Sequence, residues 1–217
     1  NLHLLAGYYR VSNVEVFKEY TAQAVEQTDK IQQYDNSDYR ISQTTTRNMG
    51  ENGITAYYNG AMAYNYKSIA EYTSAPDGRQ TDFLMRLGYR CEEINIQVVN
   101  TSVIGADSLL GVKYILSPYA INGLKPVEEL GSYNGKTVYE NPYSLPMAFV
   151  YDSTESGAKT EYTNPFEYQN ELFSELAGEQ VEIYQKLNFE RNENNNMITY
   201  VLEVPDGNYA LYGNLPW

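Results

Sequence analysis

The chain has 217 residues, of which 42% are hydrophobic, 14% aromatic and 20% charged, and its formal net charge is −13. This length corresponds to one or two domains, and the apolar content argues against a wholly disordered chain. The negative charge repels phosphate backbones, so nucleic acid is not expected as a partner, and no uninterrupted apolar run is long enough to span a membrane.

The N-terminal region predicts a polar helix followed by a short strand. The chain begins with neither Met nor a signal-peptide pattern, so we expect it to be part of a longer protein. Ser12 and Glu15 form a capping-box pattern that opens a helix to about Gln33. The polar run 35–38 then ends the helix, and residues 39–42 are typical of a strand.

Residues 43–78 are rich in Thr, Asn, Gly and Tyr and lack regular periodicity. A loop of this length is usually functional or disordered, and its tyrosines favour order. Short helices are predicted at about 78–87 and 102–110, each ending at a glycine suited to the left-handed position, Gly88 and Gly111.

Strand-like runs follow at 112–116, 124–130, 137–140 and 147–151. Asn134-Gly135 is the strongest hairpin signal in the sequence. Helices first and paired strands afterwards predict an α+β fold for residues 1–151, with N-terminal helices packed on a mixed or antiparallel sheet.

The C-terminal part predicts a second unit. Residues 152–163 are polar and predict a linker. Asn164, Pro165 and Glu167 predict a capped helix that stops at Gly178. The strand-like runs 181–190, 197–204 and 208–212 then indicate the first strands of a truncated, partly β-sandwich-like domain over 164–217.

The sequence lacks the residues that a metal site, a cofactor site or a catalytic triad needs. One Cys and one His exclude an internal disulfide, a Cys-based zinc site and multi-histidine sites. Asp35, Asn36 and Asp38 resemble a fragment of a calcium loop, but the central Gly and closing Glu are missing. We therefore expect no metal, no cofactor and no catalytic residue in this chain.

Tyrosine is over-represented, with 23 Tyr against 6 Phe and 1 Trp. Tyrosine has an apolar ring and a polar hydroxyl, so this composition fits an exported or cell-surface protein with partly solvated surfaces. It also fits a surface that contacts carbohydrate. Aromatic, amide and guanidinium groups of the loop are residue types that hold sugars. The predicted substrate-binding residues are Arg47, Asn48, Tyr57, Tyr58 and Tyr72, within a set that also includes Asn52, Asn59, Tyr64, Asn65 and Tyr66. The alternative is that these tyrosines pack the loop onto the sheet.

Several segments in order along the chain resemble the bacterial membrane protein YfhO family. They are Ser108-Leu109-Leu110-Gly111-Val112-Lys113-Tyr114-Ile115-Leu116, Tyr139-Glu140-Asn141-Pro142 running into Leu145-Pro146-Met147-Ala148, Asn164-Pro165-Phe166-Glu167-Tyr168-Gln169-Asn170, and the shorter Asp38-Tyr39-Arg40-Ile41 and Arg47-Asn48-Met49. Together they cover about residues 38–176.

The resemblance implies a polytopic bacterial membrane protein similar to GT-C glycosyltransferases, which decorate lipoteichoic acid or other surface glycans from a polyprenyl-phosphate sugar. This chain would be its extracytoplasmic region, with its own transmembrane region as one partner and a glycan or teichoic-acid acceptor as another. The catalytic acids of such enzymes lie in an early outward-facing loop that no stretch here matches.

Two alternatives stay open beside this hypothesis. One is a surface carbohydrate-binding module, and the other is a purely structural module needed for assembly of the parent protein. A stand-alone hydrolase is disfavoured, because the sequence lacks a suitable His, Cys or paired-acid constellation.

Overall fold

The computed structural model describes residues 14–44, 49–50, 53–54, 59–73, 75–92, 95–97, 103–151, 164–194 and 197–207. The chain divides into two units, Asn1–Val150 and Tyr151–Trp217, hereafter unit 1 and unit 2. The predicted linker 152–163 lies outside the described residues.

The elements described in unit 1 alternate between helices and short strands. Its helices are α1 (Val14–Tyr34), α2 (Gly60–Ala63), α3 (Gly78–Arg86) and α4 (Ile104–Leu109), with a 3-10 turn at Glu128–Leu130. Its strands are β1 (Arg40–Gln43), β2 (Met49–Gly50), β3 (Gly53–Ile54), β4 (Glu71–Tyr72), β5 (Arg90–Glu92), β6 (Asn95–Gln97), β7 (Val112–Ser117), β8 (Lys125–Pro126), β9 (Ser132–Tyr133) and β10 (Lys136–Glu140).

The main sheet of unit 1 has the strand order β1-β7-β10-β8, with β9 also paired to β10. β1 runs parallel to β7, whereas β10 runs antiparallel to β7, β8 and β9. Asn134 and Gly135 form the β9–β10 turn with positive φ values of 51° and 70°, as the hairpin signal predicts. The sheet is therefore mixed, and the α+β prediction is confirmed.

Helix α1 packs on this sheet through a narrow face. Its buried residues are Tyr20, Gln27, Thr28 and Ile31, half of them polar. Gln27 Nε2 donates to the Lys136 carbonyl oxygen at 3.1 Å, and Thr28 Oγ1 donates to the Ala24 carbonyl oxygen at 2.9 Å. The polar helix is therefore joined to the sheet by the Gln27 hydrogen bond as well as by its two buried apolar side chains.

β7 lies at the centre of the core and is buried along almost its whole length. Tyr114 and Leu116 join a cluster with Ile31, Ile41 and Val138. Val112 and Ile115 join a second cluster that includes Tyr139. Burial of this apolar surface is the main stabilising contribution to unit 1.

Two strand predictions in unit 1 are wrong in detail. In the run 124–130 only Lys125–Pro126 forms a strand, and the 3-10 turn follows. The run 147–151 forms no strand. The chain just before and within this run packs against the end of α4 instead. Leu145 N–H donates to the Ser108 carbonyl oxygen at 2.9 Å, and the Met147 sulfur lies against Gly111.

Unit 2 contains helix α5 (Pro165–Ala177) and the antiparallel strands β11 (Phe189–Asn194) and β12 (Met197–Leu202) among its described residues. Asn164 caps α5 by accepting a 2.8 Å hydrogen bond from Phe166 N–H, and Gly178 ends it with φ of 70°. Both ends of this helix match the sequence prediction. The predicted strand 208–212 lies outside the described residues.

The predicted strand 181–190 is also wrong over most of its length, because a strand begins only at Phe189. Side chains of α5 take the backbone hydrogen bonds that a strand would need. Ser174 Oγ accepts from Val181 N–H at 2.8 Å, and Asn170 Oδ1 accepts from Ile183 and Tyr184 N–H at 2.9 and 3.0 Å. The segment therefore follows the helix as an irregular strap.

Candidate functional site

The predicted substrate-binding residues fall mostly outside the described part of the chain. Arg47, Asn48, Tyr57 and Tyr58 are not among the described residues, so their role stays a prediction. Tyr72 is described and its side chain is 45% exposed. Asn59 holds the Tyr72 backbone at both polar atoms, accepting from its N–H at 2.8 Å and donating to its carbonyl oxygen at 3.1 Å.

An open groove of about 650 Å³ lies beside this loop in unit 1. One side comes from the end of α1 and the start of β1, and the other from the segment around α2. Its lining consists of Gln32, Asp35, Asn36, Ser37, Asp38, Tyr39, Ile41, Asn59, Ala61, Met62, Asn65, Tyr66, Lys67, Ser68 and Ala70. We call this feature the groove.

Asp35 anchors one side of the groove by accepting hydrogen bonds from three groups. Its Oδ2 accepts from Lys113 Nζ at 2.6 Å and from Tyr114 OH at 3.0 Å, and its Oδ1 accepts from Ser37 N–H at 2.8 Å. Burial alone would raise the Asp35 pKa, but these hydrogen bonds outweigh burial and hold the pKa well below its usual range. The carboxylate is therefore a charged structural anchor and a poor general base.

The tyrosines around Asp35 are held in their neutral form. Burial, together with the Asp35 charge, raises the pKa of Tyr39 to about 12. Burial and the hydrogen bond to Asp35 also raise the pKa of Tyr114. The two rings meet edge to face, with centroids 4.9 Å apart. They support the groove as packed, uncharged groups.

Backbone contacts join the two sides of the groove. Ile41 N–H donates to the Lys67 carbonyl oxygen at 2.8 Å, which places the 66–68 segment beside β1. Gln32 Nε2 donates to the Asn65 carbonyl oxygen at 2.8 Å. Lys67 Nζ also forms an ion pair with Asp38. Two hydrogen bonds and one ion pair thus connect the two sides of the open groove.

A buried polar chain supports the groove from within. Lys136, only 3% exposed, donates from Nζ to Gln43 Oε1 at 2.6 Å, and Gln43 Nε2 donates to the Tyr66 hydroxyl at 2.7 Å. Burial lowers the pKa of Lys136 to about 8 and raises that of Tyr66 to about 12. The lysine fixes which end of the Gln43 amide faces Tyr66.

Residues of the Asn/Tyr-rich set differ in whether their side chains have internal partners. Asn59 and Tyr66 make the internal contacts described above, and the Tyr64 ring lies 6.4 Å from that of Tyr20. These three agree with the packing alternative, although Asn59 and Tyr66 also line the groove. Asn65 lines the groove without such a partner, as does Asn36 from the turn after α1, since within the described residues neither side-chain amide makes a hydrogen bond.

Five lining residues were not predicted to belong to a binding surface: Gln32, Asp35, Asn36, Asp38 and Lys67. The sequence does contain a signal for part of this surface. The run Asp-Asn-Ser-Asp at 35–38, after a helix, is typical of an Asx turn, which brings polar side chains together. The pairing of this turn with the 59–70 segment depends on long-range contacts and could not be seen in the sequence.

Three of the unit 1 segments that carry the family resemblance meet in a largely buried cluster, the motif junction, formed by Arg40, Ser108, Gly111, Asn141 and Leu145. Asn141 Nδ2 donates to Ser108 Oγ and to the carbonyl oxygen of Val112, which follows Gly111, both at 3.0 Å. Arg40 N–H donates to the Gly111 carbonyl oxygen at 2.8 Å. Asn141 is fully buried. These residues therefore hold strands and turns together.

The corresponding motif of unit 2 has a similar role. Gln169 is fully buried and its Oε1 accepts from Tyr184 OH at 3.1 Å. Asn170 Nδ2 donates to the Tyr184 carbonyl oxygen at 2.8 Å, and the Phe166 ring lies 4.6 Å from the Tyr184 ring. The motif residues fix the strap 181–184 onto α5.

The described residues offer no cluster of three or more His, Cys, Asp or Glu that could hold a metal ion. Cys91 is partly buried, and burial raises the pKa of its thiol, so it is a weak nucleophile. Among the described residues no helix is both long and apolar enough to cross a membrane.

Comparison with known proteins places the chain in a class. Residues 4–203 match the family model described as bacterial membrane protein YfhO. No curated protein and no solved structure matches the chain significantly. Because the family model covers more than half of the sequence, the chain is assigned to a family of bacterial membrane proteins. The chain belongs to the YfhO family, as its motifs predict.

Proposed function

We propose that this chain is the extracytoplasmic, non-catalytic part of a membrane glycosyltransferase, which decorates lipoteichoic acid or another cell-surface glycan from a polyprenyl-phosphate sugar. The observation that carries the proposal is the match of residues 4–203 to the YfhO family model. The transferase activity is what the resemblance to GT-C enzymes implies. The partners are the transmembrane region of the parent protein and a glycan acceptor.

The electrostatics of unit 1 support a non-catalytic role. Attack of an acceptor hydroxyl needs a carboxylate that can take up a proton near neutral pH. Asp35 has a pKa far below that range, and Asp38 is paired with Lys67. We assign the chemistry to the parent protein and the shaping of the acceptor path to this chain.

A transfer assay tests the proposal. Membranes containing the full-length protein are supplied with radiolabelled polyprenyl-phosphate hexose and lipoteichoic acid, in parallel with the 217-residue chain alone. We expect transfer only with the full-length protein. Transfer by the 217-residue chain would refute the assignment of this chain as non-catalytic. If membranes that contain the full-length protein transferred sugar from none of these donors, the proposed transferase activity would be refuted.

A structural or assembly role is the second candidate, favoured by the burial of the motif junction. The family-typical residues Ser108, Gly111 and Asn141 contact each other rather than solvent. If assembly is the role, Asn141→Ala lowers the amount of full-length protein in the membrane. Asn36→Ala would then change neither the amount of protein nor the transfer per molecule.

A further inference from the structure

The charges that line the groove are already neutralised by the protein. Asp35 is bonded to Lys113, and Asp38 is bonded to Lys67. A cationic ligand would have to displace a lysine. An anionic ligand would find only Lys67, already paired, as a cation among the lining residues, on a chain of net charge −13. The electrostatics of the groove therefore favour a ligand without charge.

Two side-chain amides that line the groove, those of Asn36 and Asn65, make no hydrogen bond within the part of the chain that the structure describes. Asn36 comes from the turn after α1 and Asn65 from the turn after α2, so both contributing segments supply one. A side-chain amide offers donors and an acceptor together, as a hydroxyl-bearing ligand requires. The apolar side chains of Ala61 and Met62 lie along the same groove and can contact C–H groups.

The groove has a suitable size and a fixed shape. Its volume of about 650 Å³ lies within the usual range for small-ligand sites. The Asp35 anchor, the Ile41–Lys67 backbone bond and the Lys136–Gln43–Tyr66 chain hold its walls before any ligand arrives. Such preorganisation reduces the entropy lost on binding.

We propose that the groove binds an uncharged, polyhydroxylated ligand, a sugar unit, through the side-chain amides of Asn36 and Asn65. This inference rests on the proposed function and deepens it, because it names the chemical class that the acceptor-contacting surface takes. The sugar could belong to a neutral glycan acceptor or to a phosphate-bearing donor, and the lining carboxylates favour the acceptor.

An NMR titration of the 217-residue chain tests this inference. The probes are methyl glucoside, methyl galactoside and methyl N-acetylglucosaminide for the acceptor, and glucose 1-phosphate for the donor. We expect amide shifts at groove residues with at least one methyl glycoside, and weaker binding of glucose 1-phosphate. No groove shifts up to about 100 mM, where a millimolar site would be saturated, would overturn the inference. Tighter binding of the phosphate would overturn the uncharged class.

Matched variants make the assignment specific. Asn65 has φ of 55°, so Asn65→Gly removes the amide and keeps a permitted backbone. We expect Asn65→Gly and Asn36→Ala each to weaken glycoside binding about fivefold, the effect of one neutral hydrogen bond. The exposed Asn122→Ala serves as control and leaves the affinity unchanged. Equal affinities of all three variants would overturn the role of the two amides.

The result is separable from the transfer assay. Glycoside binding with no transferase activity of the full-length protein would refute the proposed function and leave a carbohydrate-binding groove. Transferase activity without groove binding would refute this inference alone.

Discussion

The motif junction and the groove lie in the same unit but use asparagine in opposite ways. Asn141 in the junction is fully buried, and its side chain forms hydrogen bonds with Ser108 Oγ, with the Val112 carbonyl oxygen and with Tyr143 N–H, the last at 3.1 Å. Asn36 and Asn65 in the groove are exposed, with unengaged amides in the described structure. The difference indicates that Asn141, in a segment that resembles the family, holds the fold together, whereas the binding that we propose uses residues outside those segments.

The largest expected effect is that of Asn141→Ala. The change removes the buried hydrogen bonds to Ser108 Oγ and to the Val112 carbonyl oxygen, and the part-buried one from Tyr143 N–H. We expect unit 1 to lose about 3 kcal/mol of unfolding free energy, at about 1 kcal/mol for each bond. Urea denaturation followed through unit 1 amide signals measures this. A loss no greater than that of Asn122→Ala would remove the distinction between junction and surface.

Gly111→Ala should have the next largest effect. A Cβ at Gly111 would lie 3.1 Å from Met147 Sδ and 3.2 Å from the Leu145 carbonyl oxygen, at a φ of 67°. Gly135 is a matched control, with φ of 70° and nothing within 4 Å of its Cβ. We expect Gly135→Ala to cost about 1 kcal/mol for the backbone conformation and Gly111→Ala about 2 kcal/mol. Equal costs in urea denaturation would show that the junction is not tightly packed.

The Asp35 anchor predicts a smaller, pH-dependent effect. Because the folded-state pKa is depressed, its stabilisation is present above the unfolded value of about 3.9 and is lost as the pH falls below it. We expect Asp35→Asn to be about 1 kcal/mol less stable at pH 6, since Asp35 and Lys113 are 12% and 28% exposed and partly screened. The deficit should shrink steadily as the pH falls from about 4 towards 2, because the unfolded chain takes up the proton first. The exposed Glu129→Gln is the control, and a deficit that persists unchanged in acid would contradict the account.

The smallest effect on stability is expected in the groove itself. Asn36→Ala and Asn65→Gly should change the unfolding free energy by less than about 0.5 kcal/mol, because no described hydrogen bond of either amide is lost. Thermal unfolding checks this. A loss of more than about 1 kcal/mol in either variant would identify a structural asparagine and weaken its assignment to binding.

The sequence predicted local structure best where caps and turns determine it. Asn164-Pro165 and Gly178 delimit α5, and Asn134-Gly135 forms the hairpin. Predictions failed where side chains from distant positions took the backbone hydrogen bonds, as Asn170 does for the strap 181–184. Apolar runs alone could not reveal that competition.

The groove could be predicted only in part. Composition indicated that the Asn/Tyr-rich segment was a contact surface, and Asn65 in that segment does line the groove. Asn36, however, belongs to a turn interpreted as the end of a helix. Its position beside Asn65 depends on the parallel pairing of β1 with β7 and on the Ile41–Lys67 bond. Such non-local contacts have no signature in a single sequence.

Topology labelling tests the central claim, the extracytoplasmic position of this chain, most directly. The full-length protein in intact bacteria would carry Cys91→Ser and a new thiol from Ala120→Cys, at an exposed site, and would be treated with a membrane-impermeant maleimide. We expect the Ala120→Cys protein to be labelled in intact cells as fully as after lysis, and the parent without that thiol to show no added label. Labelling only after lysis would place this chain inside the cell and contradict the account.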